Sequence, residues 1–272
     1  MVFQRIFGTP ENEDILISFL NALLEKTEKE KITHIEYVDT RLSDIETIND
    51  KIGILDVRVI TEKGTNINVE IQLINRYNMI NRTLFYWARL YAGQIKRGSD
   101  YRDLRKTITI NILNFNYIDE DSYHTTYHLH EDESKKMLTD LLEIHFVELP
   151  KFIEQSPGLN NSLNRWLAFL TKPQESSKEG IEVAEPAIKK AITVLGMLSR
   201  DPETVRLAEL RMKKILDEKS MIEGAKEEGR AEGKLEVARN LLAMGLDLAS
   251  IVKATGLKEE QIKEIRCQPP EN

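Results

Sequence analysis

The sequence predicts an α/β fold: a mixed central β-sheet flanked by helices, with an all-α C-terminal extension. Three patterns predict it. Two β-type runs, residues 52–60 and 66–72, are separated by a short break containing Gly64, which is a hairpin signal. Apolar residues recur at helical spacing on either side of that hairpin, in residues 11–25 and 78–94. From Pro150 onward helical patterns take over.

In chain order, the first helix covers residues 11–25, with Ile15, Ile17, Phe19, Leu20, Leu23 and Leu24 as its apolar set. A strand over residues 33–39 leads to the hairpin. Its second arm alternates strictly, so Asn66, Asn68, Glu70 and Gln72 share one face while Ile67, Val69 and Ile71 share the other. The second helix, residues 78–94, carries Ile80, Leu84, Trp87, Leu90 and Tyr91 at helical spacing, a stripe that suits a core. Residues 107–113, 123–129 and 143–149 are further strands. Helical patterns follow at 163–170 and 184–198, with turn-type breaks at Pro157-Gly158 and over residues 173–180. Asp201-Pro202 starts a long charged helix reaching Met244, with Asp201 as N-cap and Pro202 in the first turn.

The 272 residues are 41% hydrophobic, enough for one sizeable core and an appended region. No apolar stretch has the length of a membrane span, and no secretory signal opens the chain. Cys267 is the single cysteine, which excludes a disulfide framework and a cysteine zinc site. These features predict a cytoplasmic protein without membrane partners. A net charge of −7 excludes a general nucleic-acid coat but leaves room for a local basic patch. Arg82, Arg97, Arg102, Arg105 and Lys106, with Arg76, Arg89 and Lys96, supply the candidates for phosphate contact. A solvated helix end explains the same residues without DNA. His124, His128 and His130 share one strand face and lack zinc spacing, so they are expected to face solvent.

Chemistry concentrates in the hairpin. Asp56 lies between Leu55 and Val57, and Glu70 lies between Val69 and Ile71 with Gln72 two residues on. Acids inside apolar strands are costly to bury unless something pairs with them. Pairing that sets Asp56 opposite or diagonal to Glu70 brings two carboxylates within a few ångströms. Such a pair suits a hard divalent cation and a water that attacks phosphate.

The order of acid in a strand, short hairpin, then Glu70-Ile71-Gln72 resembles the PD-(D/E)XK nuclease signature, with Gln72 where Lys is usual. Phe3-Gln4-Arg5-Ile6-Phe7-Gly8, residues 11–21, Gly53-Ile54-Leu55-Asp56-Val57-Arg58 and Arg82-Thr83-Leu84-Phe85-Tyr86-Trp87 resemble the recombination-promoting nuclease and transposase branch. The tail residues 236–242 and Thr255-Gly256-Leu257 fit it too, so the resemblance spans almost the whole chain. It implies a divalent-metal-dependent endonuclease that cuts duplex DNA and promotes recombination. Asp56 and Glu70 would hold Mg²⁺, with Mn²⁺ as a substitute, and Gln72 would orient the attacking water without adding positive charge. An acid on the first helix, Glu11 or else Asp14, is implied beside the metal; favourable charge at a helix N-terminus is the simpler account of both. Relatives carry a short acidic and aromatic lead before the Phe3–Gly8 segment, which is expected to matter if it packs on the core. The alternative is a catalytically weak or inactive DNA-binding or interaction protein on a nuclease-like scaffold. No separate transposase-type acidic triad stands out.

The implied organisation is a nuclease-like domain at 1–150, a helical extension at 151–220, and a repeat helix with a helix-turn-helix-like tail at 221–272. Glu223-Gly224, Glu228-Gly229 and Glu232-Gly233 form a degenerate repeat. Each Gly costs about 1 kcal/mol against Ala in a helix interior. The repeat suits a partly frayed connector or a close helix-to-helix contact in a homo-oligomer. In the tail, Ile251, Val252, Leu257, Ile262 and Ile265 point inward and Gly256 makes the turn. Glu259, Glu260 and Glu264 offset Lys258, Lys263 and Arg266, so a packing or partner module is expected rather than a DNA reader.

Overall fold

The computed structural model describes residues 2–39, 56–75, 78–175 and 181–267. Residues 52–55 of the expected first hairpin arm, Arg76, and residues 176–180 of the expected break lie outside the described residues. Two compact units divide the chain, Met1–Leu210 and Arg211–Asn272.

In the first unit, β1 (Ile35–Tyr37), β2 (Val57–Thr61), β3 (Asn66–Gln72), β4 (Thr107–Leu113), β5 (His124–His130) and β6 (Met137–Glu148) form one six-stranded sheet. Its order is β1-β2-β3-β4-β6-β5. The first three strands are antiparallel, β4 is parallel to both β3 and β6, and β5 returns antiparallel on β6. This is the mixed sheet that the sequence predicts. Gly64 at φ +80° closes the turn between β2 and β3, with the Gly64 N–H donated to the Thr61 carbonyl at 2.8 Å. Two strand ends differ from expectation. β6 begins at Met137 because it folds back along β5, pairing Met137 with His130. Leu149 is the first residue of α4 (Leu149–Gln155), since Pro150 sets a helical φ there.

The two sheet faces differ in chemistry. Ile108, Ile110 and Ile112 of β4 join Val57, Val59, Ile67 and Val69 in the main core. That core is covered by α1 (Val2–Phe7) and α2 (Glu13–Leu24), and by α5 (Ser162–Thr171), α6 (Ile181–Ala184) and α7 (Pro186–Leu198). Trp166 is fully buried and meets Phe7 and Phe19 at ring-centroid distances of 5.7 and 5.8 Å. The helices after Pro150 therefore share the core of the sheet. At Gly8, an added Cβ would lie 2.6 Å from the Gln4 carbonyl oxygen, so α1 turns off there only with glycine. On the other face, Asn66, Asn68, Glu70, Thr107, Thr109 and Asn111 are buried instead of solvated. α3 (Met79–Ala92) packs against β4 over this polar layer, and Thr83 Oγ1 bonds Asn111 Oδ1 at 3.1 Å.

The expectation of a solvated histidine face is corrected for two of its three members. His124 Nε2 lies 2.9 Å from His145 Nδ1, and His128 Nε2 lies 3.0 Å from Glu143 Oε2; only His130 is exposed. Glu143 and His145 are themselves fully buried, with His145 Nε2 at 2.5 Å from Glu143 Oε1. Thr27 and Lys106 complete the shell of Glu143, at 2.7 Å each. The strand period hid this, because the partners come from β6 and from the end of α2.

In the second unit, α8 (Pro202–Ala243), which starts in the first, continues helically through Gly224, Gly229 and Gly233. The repeat is thus part of one helix in place of the frayed connector, and an added Cβ at any of the three would meet nothing within 4 Å. α9 (Leu248–Thr255) and α10 (Glu259–Cys267) fold back on its end, burying Ala238, Ile251 and Ile262 together. Asp247 caps α9 by accepting the Ser250 N–H at 3.0 Å. Gly256 at φ +67° ends it, as the sequence predicts.

Trp166→Ala should cost about 3–5 kcal/mol by equilibrium urea unfolding; a loss under about 1 kcal/mol would show that α5 does not share the core. The histidine network sets a pH dependence. Burial, then the charges of His145 and Lys26, push His124 down to about 3 against the pull of Glu143. Burial likewise lowers His145 despite Glu143. His124 stays neutral in the fold and His145 takes up a proton less readily than a free ring, whereas the unfolded chain takes up protons near the ordinary 6.5. Stability is therefore full above that value and falls as pH drops below it, by up to about 1.4 kcal/mol per pH unit per histidine. Urea unfolding between about pH 8 and about pH 5 should show a steeper loss for the wild type than for His124→Gln; equal slopes would remove His124 from this account.

Candidate active site

The acids meet where β2 begins. The β2–β3 ladder pairs Val57 with Val69 and Arg58 with Asn68, so continuing it by one position sets Asp56 opposite Glu70. Asp56 stands in the bend just before β2, not in mid-strand as expected. Its Oδ2 accepts the Ile71 N–H at 2.8 Å, so a side chain takes the bond that a ladder carbonyl would otherwise take. Glu70 is 2% exposed, lying in β3 between two strands and under α3. Its Oε2 accepts from Gln72 Nε2 at 3.0 Å and from Arg82 Nη2 at 3.3 Å. Its Oε1 is buried and within hydrogen-bond distance of no donor among the described residues. Burial pushes the Glu70 carboxyl up, Arg82 pulls it down, the charge of Asp56 pushes it up again, and the nearby Asn68 side chain lowers it slightly.

These residues fit a hard cation. Two carboxylates face one another across a ladder position, and one keeps a buried oxygen without a donor among the described residues. Carboxylate oxygens are the donors that Mg²⁺, Mn²⁺ and Ca²⁺ take. Among the described residues no group of three or more His, Cys, Asp or Glu is arranged to hold a metal ion, so a cation on this pair would take its remaining positions from water.

The other candidates divide. Arg82 joins the acid pair from α3, with its guanidinium 5.0 Å from the Tyr86 ring centroid. Glu11 is exposed in a 3₁₀ turn, Pro10–Asn12, and only its main-chain oxygen is engaged, by Lys190 Nζ at 2.8 Å. Asp14 is bound to the same lysine at 2.5 Å. No hydrogen bond or ion pair links either acid to Asp56 or Glu70 among the described residues. Glu13, which the sequence did not single out, ties α2 to β1 through the Ile35 N–H at 3.0 Å. Arg97 and Arg105 are exposed, and Arg102 is exposed but held by Asp100 at 2.6 Å. Lys106 is committed to Glu28 and Glu143 on the opposite sheet side. A lysine with two carboxylates has little charge to spare for phosphate.

The buried polar layer of Asn66, Asn68, Thr109 and Asn111 beside Glu70 was missed. Its signal was present: β3 and β4 both alternate polar with apolar residues, and their parallel register sets Asn66 beside Thr107, Asn68 beside Thr109 and Glu70 beside Asn111.

The sequence model of the family described as PD-(D/E)XK nuclease family transposase matches residues 1–225. That of the Rpn/YhgA-like nuclease family, C-terminal HTH domain, matches residues 231–266. The second match is to a helix-turn-helix domain, in agreement with the helix-turn-helix spacing of the tail. Neither the curated proteins nor the solved structures contain a match. No helix among the described residues is long and apolar enough to cross a membrane.

Proposed function

The chain belongs to the PD-(D/E)XK nuclease family of transposases, and from that membership and the acid pair we propose that it is a cytoplasmic Mg²⁺-dependent endonuclease that hydrolyses phosphodiesters in duplex DNA. The observation that carries the reading is the buried Oε1 of Glu70, which has no hydrogen-bond donor among the described residues, on the face shared with Asp56. When bound, a divalent cation supplies Lewis-acid polarisation of the phosphate and a water acidified toward neutrality.

The side chains have separable tasks. Asp56 is oriented by the Ile71 N–H, which keeps its carboxylate turned toward β3. Glu70 provides the second carboxylate from a strand paired on both sides, a rigid mount. The Gln72 amide donates to Glu70 and also has a carbonyl that can accept from a water, so it can hold a nucleophile in line. The reaction is attack of water oxygen on phosphorus with loss of the bridging oxygen. Strand breaks are substrates for strand exchange, which is the proposed route to recombination. Exposed Arg97, Arg102 and Arg105 are the proposed contacts to duplex phosphates, which position DNA without reading sequence. The helix-turn-helix tail is proposed as a second DNA contact.

A competing reading, a non-catalytic DNA-binding protein on this scaffold, rests on Gln72 standing where Lys is usual. One assay separates them. The wild type should nick supercoiled plasmid with Mg²⁺ or Mn²⁺ and not with EDTA. Asp56→Ala and Glu70→Ala should each lose at least ~100-fold while their circular dichroism is unchanged. Retained duplex binding without cleavage in any metal would decide for the non-catalytic protein.

Homo-oligomerisation through the C-terminal helices is the second proposal. Val237 on α8 and Met244 and Leu246 just beyond it are 47%, 74% and 38% exposed, and the open surface at the three glycines lets backbones approach. Light scattering should give several chains per particle for the full-length protein and one for a chain ending before Glu223; equal chain numbers would remove the idea.

A further inference from the structure

The signature that this chain resembles uses a lysine where Gln72 stands, so one positive charge is missing at residue 72. We propose that Arg82 supplies that charge, as a positioning residue acting through Glu70. The inference rests on Asp56 and Glu70 being the catalytic pair.

The geometry is specific. Gln72 Nε2 and Arg82 Nη2 converge on the same atom, Glu70 Oε2, at 3.0 and 3.3 Å. A cation brought by α3 thus arrives at the oxygen that the residue-72 side chain reaches from β3. Arg82 is also placed, not merely nearby. Its side chain is 25% exposed, and its guanidinium lies 5.0 Å from the Tyr86 ring centroid. The adjacent Thr83 is 2% exposed and bonds Asn111 on β4, which sets the roll of α3 over the sheet. A guanidinium keeps its proton in any accessible pH range, so the charge is permanent.

Among the described residues the neighbouring cations make their contacts away from the acid pair. Arg58 shares the Asp56 face of β2 but sits opposite Asn68; its Nη1 reaches the Asp39 carbonyl at 3.4 Å and its buried Nε meets no acceptor among the described residues. Lys106 is bound to Glu28 and Glu143, and Arg102 to Asp100. Among the described residues, Arg82 is the cation with a contact to the acid pair.

An ion pair that only neutralised a buried acid would leave cleavage unchanged when the charge is removed, provided the protein folds. Removing the charge at residue 82 and then restoring it from residue 72 is therefore the test. Full-length wild type, Arg82→Gln, Arg82→Lys, Glu70→Ala and the double variant Arg82→Gln/Gln72→Lys are compared by plasmid cleavage and by Mn²⁺ titration without DNA. Urea unfolding confirms folding. Arg82→Gln should cut ~100-fold more slowly, Arg82→Lys should stay within ~10-fold of wild type, and the double variant should recover at least ~10-fold over Arg82→Gln. Arg82→Gln should also bind Mn²⁺ more tightly, because a cation competing for Glu70 is gone, and the double variant should reverse that. Cleavage by Arg82→Gln at the wild-type rate, or a double variant no better than the single, would overturn the inference. Should Arg82→Gln not fold, a double variant that folds and cuts supports it, and an inactive folded Arg82→Lys overturns it. Mn²⁺ binding that depends on Glu70 but ignores Arg82 would overturn this inference alone. Equal Mn²⁺ binding by wild type and Glu70→Ala would overturn the acid-pair reading and this inference with it.

Discussion

A carboxylate buried in the middle of the sheet sets the terms for the rest of the site. Glu70 lies in β3, hydrogen-bonded on one side to β2 and on the other to β4, so its side chain has only the α3 layer to enter. Water cannot solvate it fully there, and burying an ionised carboxylate costs several kcal/mol unless partners replace the water. The replacements are Gln72 from the same strand and Arg82 from α3. Placing Arg82 requires α3 to sit at one height and one roll. The Thr83–Asn111 bond and the bond from Trp87 Nε1 to the Thr107 carbonyl at 2.9 Å hold it there. The polar layer of asparagines and threonines is thus the mount for the helix that answers the buried charge.

The sheet holds a second buried glutamate, and the contrast is informative. Glu143 has both oxygens satisfied, Oε1 by Thr27 and His145, Oε2 by Lys106 and His128. Burial pulls its pKa up, but the bonds from His145, Lys106 and Thr27 outweigh that and hold it well below the usual carboxylate range. That is a closed network of the kind that rigidifies a core. Glu70 keeps one oxygen without a donor among the described residues and has another acid opposite it, and burial raises its pKa. The first acid is closed off by its partners; the second leaves an open oxygen beside a like charge, which is what the proposed cation site would use. The two faces of one sheet therefore carry opposite answers to the same cost.

Local pattern made much of the architecture legible. β4 and the turn at Gly64 follow directly from alternation and loop chemistry, because a strand buried on both faces tolerates few residue types. The inward set of the tail, Ile251, Val252, Leu257, Ile262 and Ile265, follows from helical spacing around Gly256. Ends were less legible where neighbours decide them. β6 is longer than its own alternation suggests because β5 recruits the residues from Met137, and Asp56 leaves β2 because its carboxylate takes a main-chain bond.

The sequence by itself determined the fold class and the hairpin and singled out Asp56, Glu70 and Gln72 as candidates, because periodicity and the oddity of acids in apolar strands are local properties. Only the tertiary structure decided which charges go with them. Arg82 was one of several arginines until α3 packed on β4 and brought it to Glu70. Lys106 looked like a phosphate contact until β4 lay beside β6 and turned it to Glu143. The histidines of β5 looked solvated until β6 set His145 and Glu143 against them. Each decision is a pairing between residues far apart in the chain, whose partners are fixed by sheet register and helix placement and not by the spacing of either segment alone.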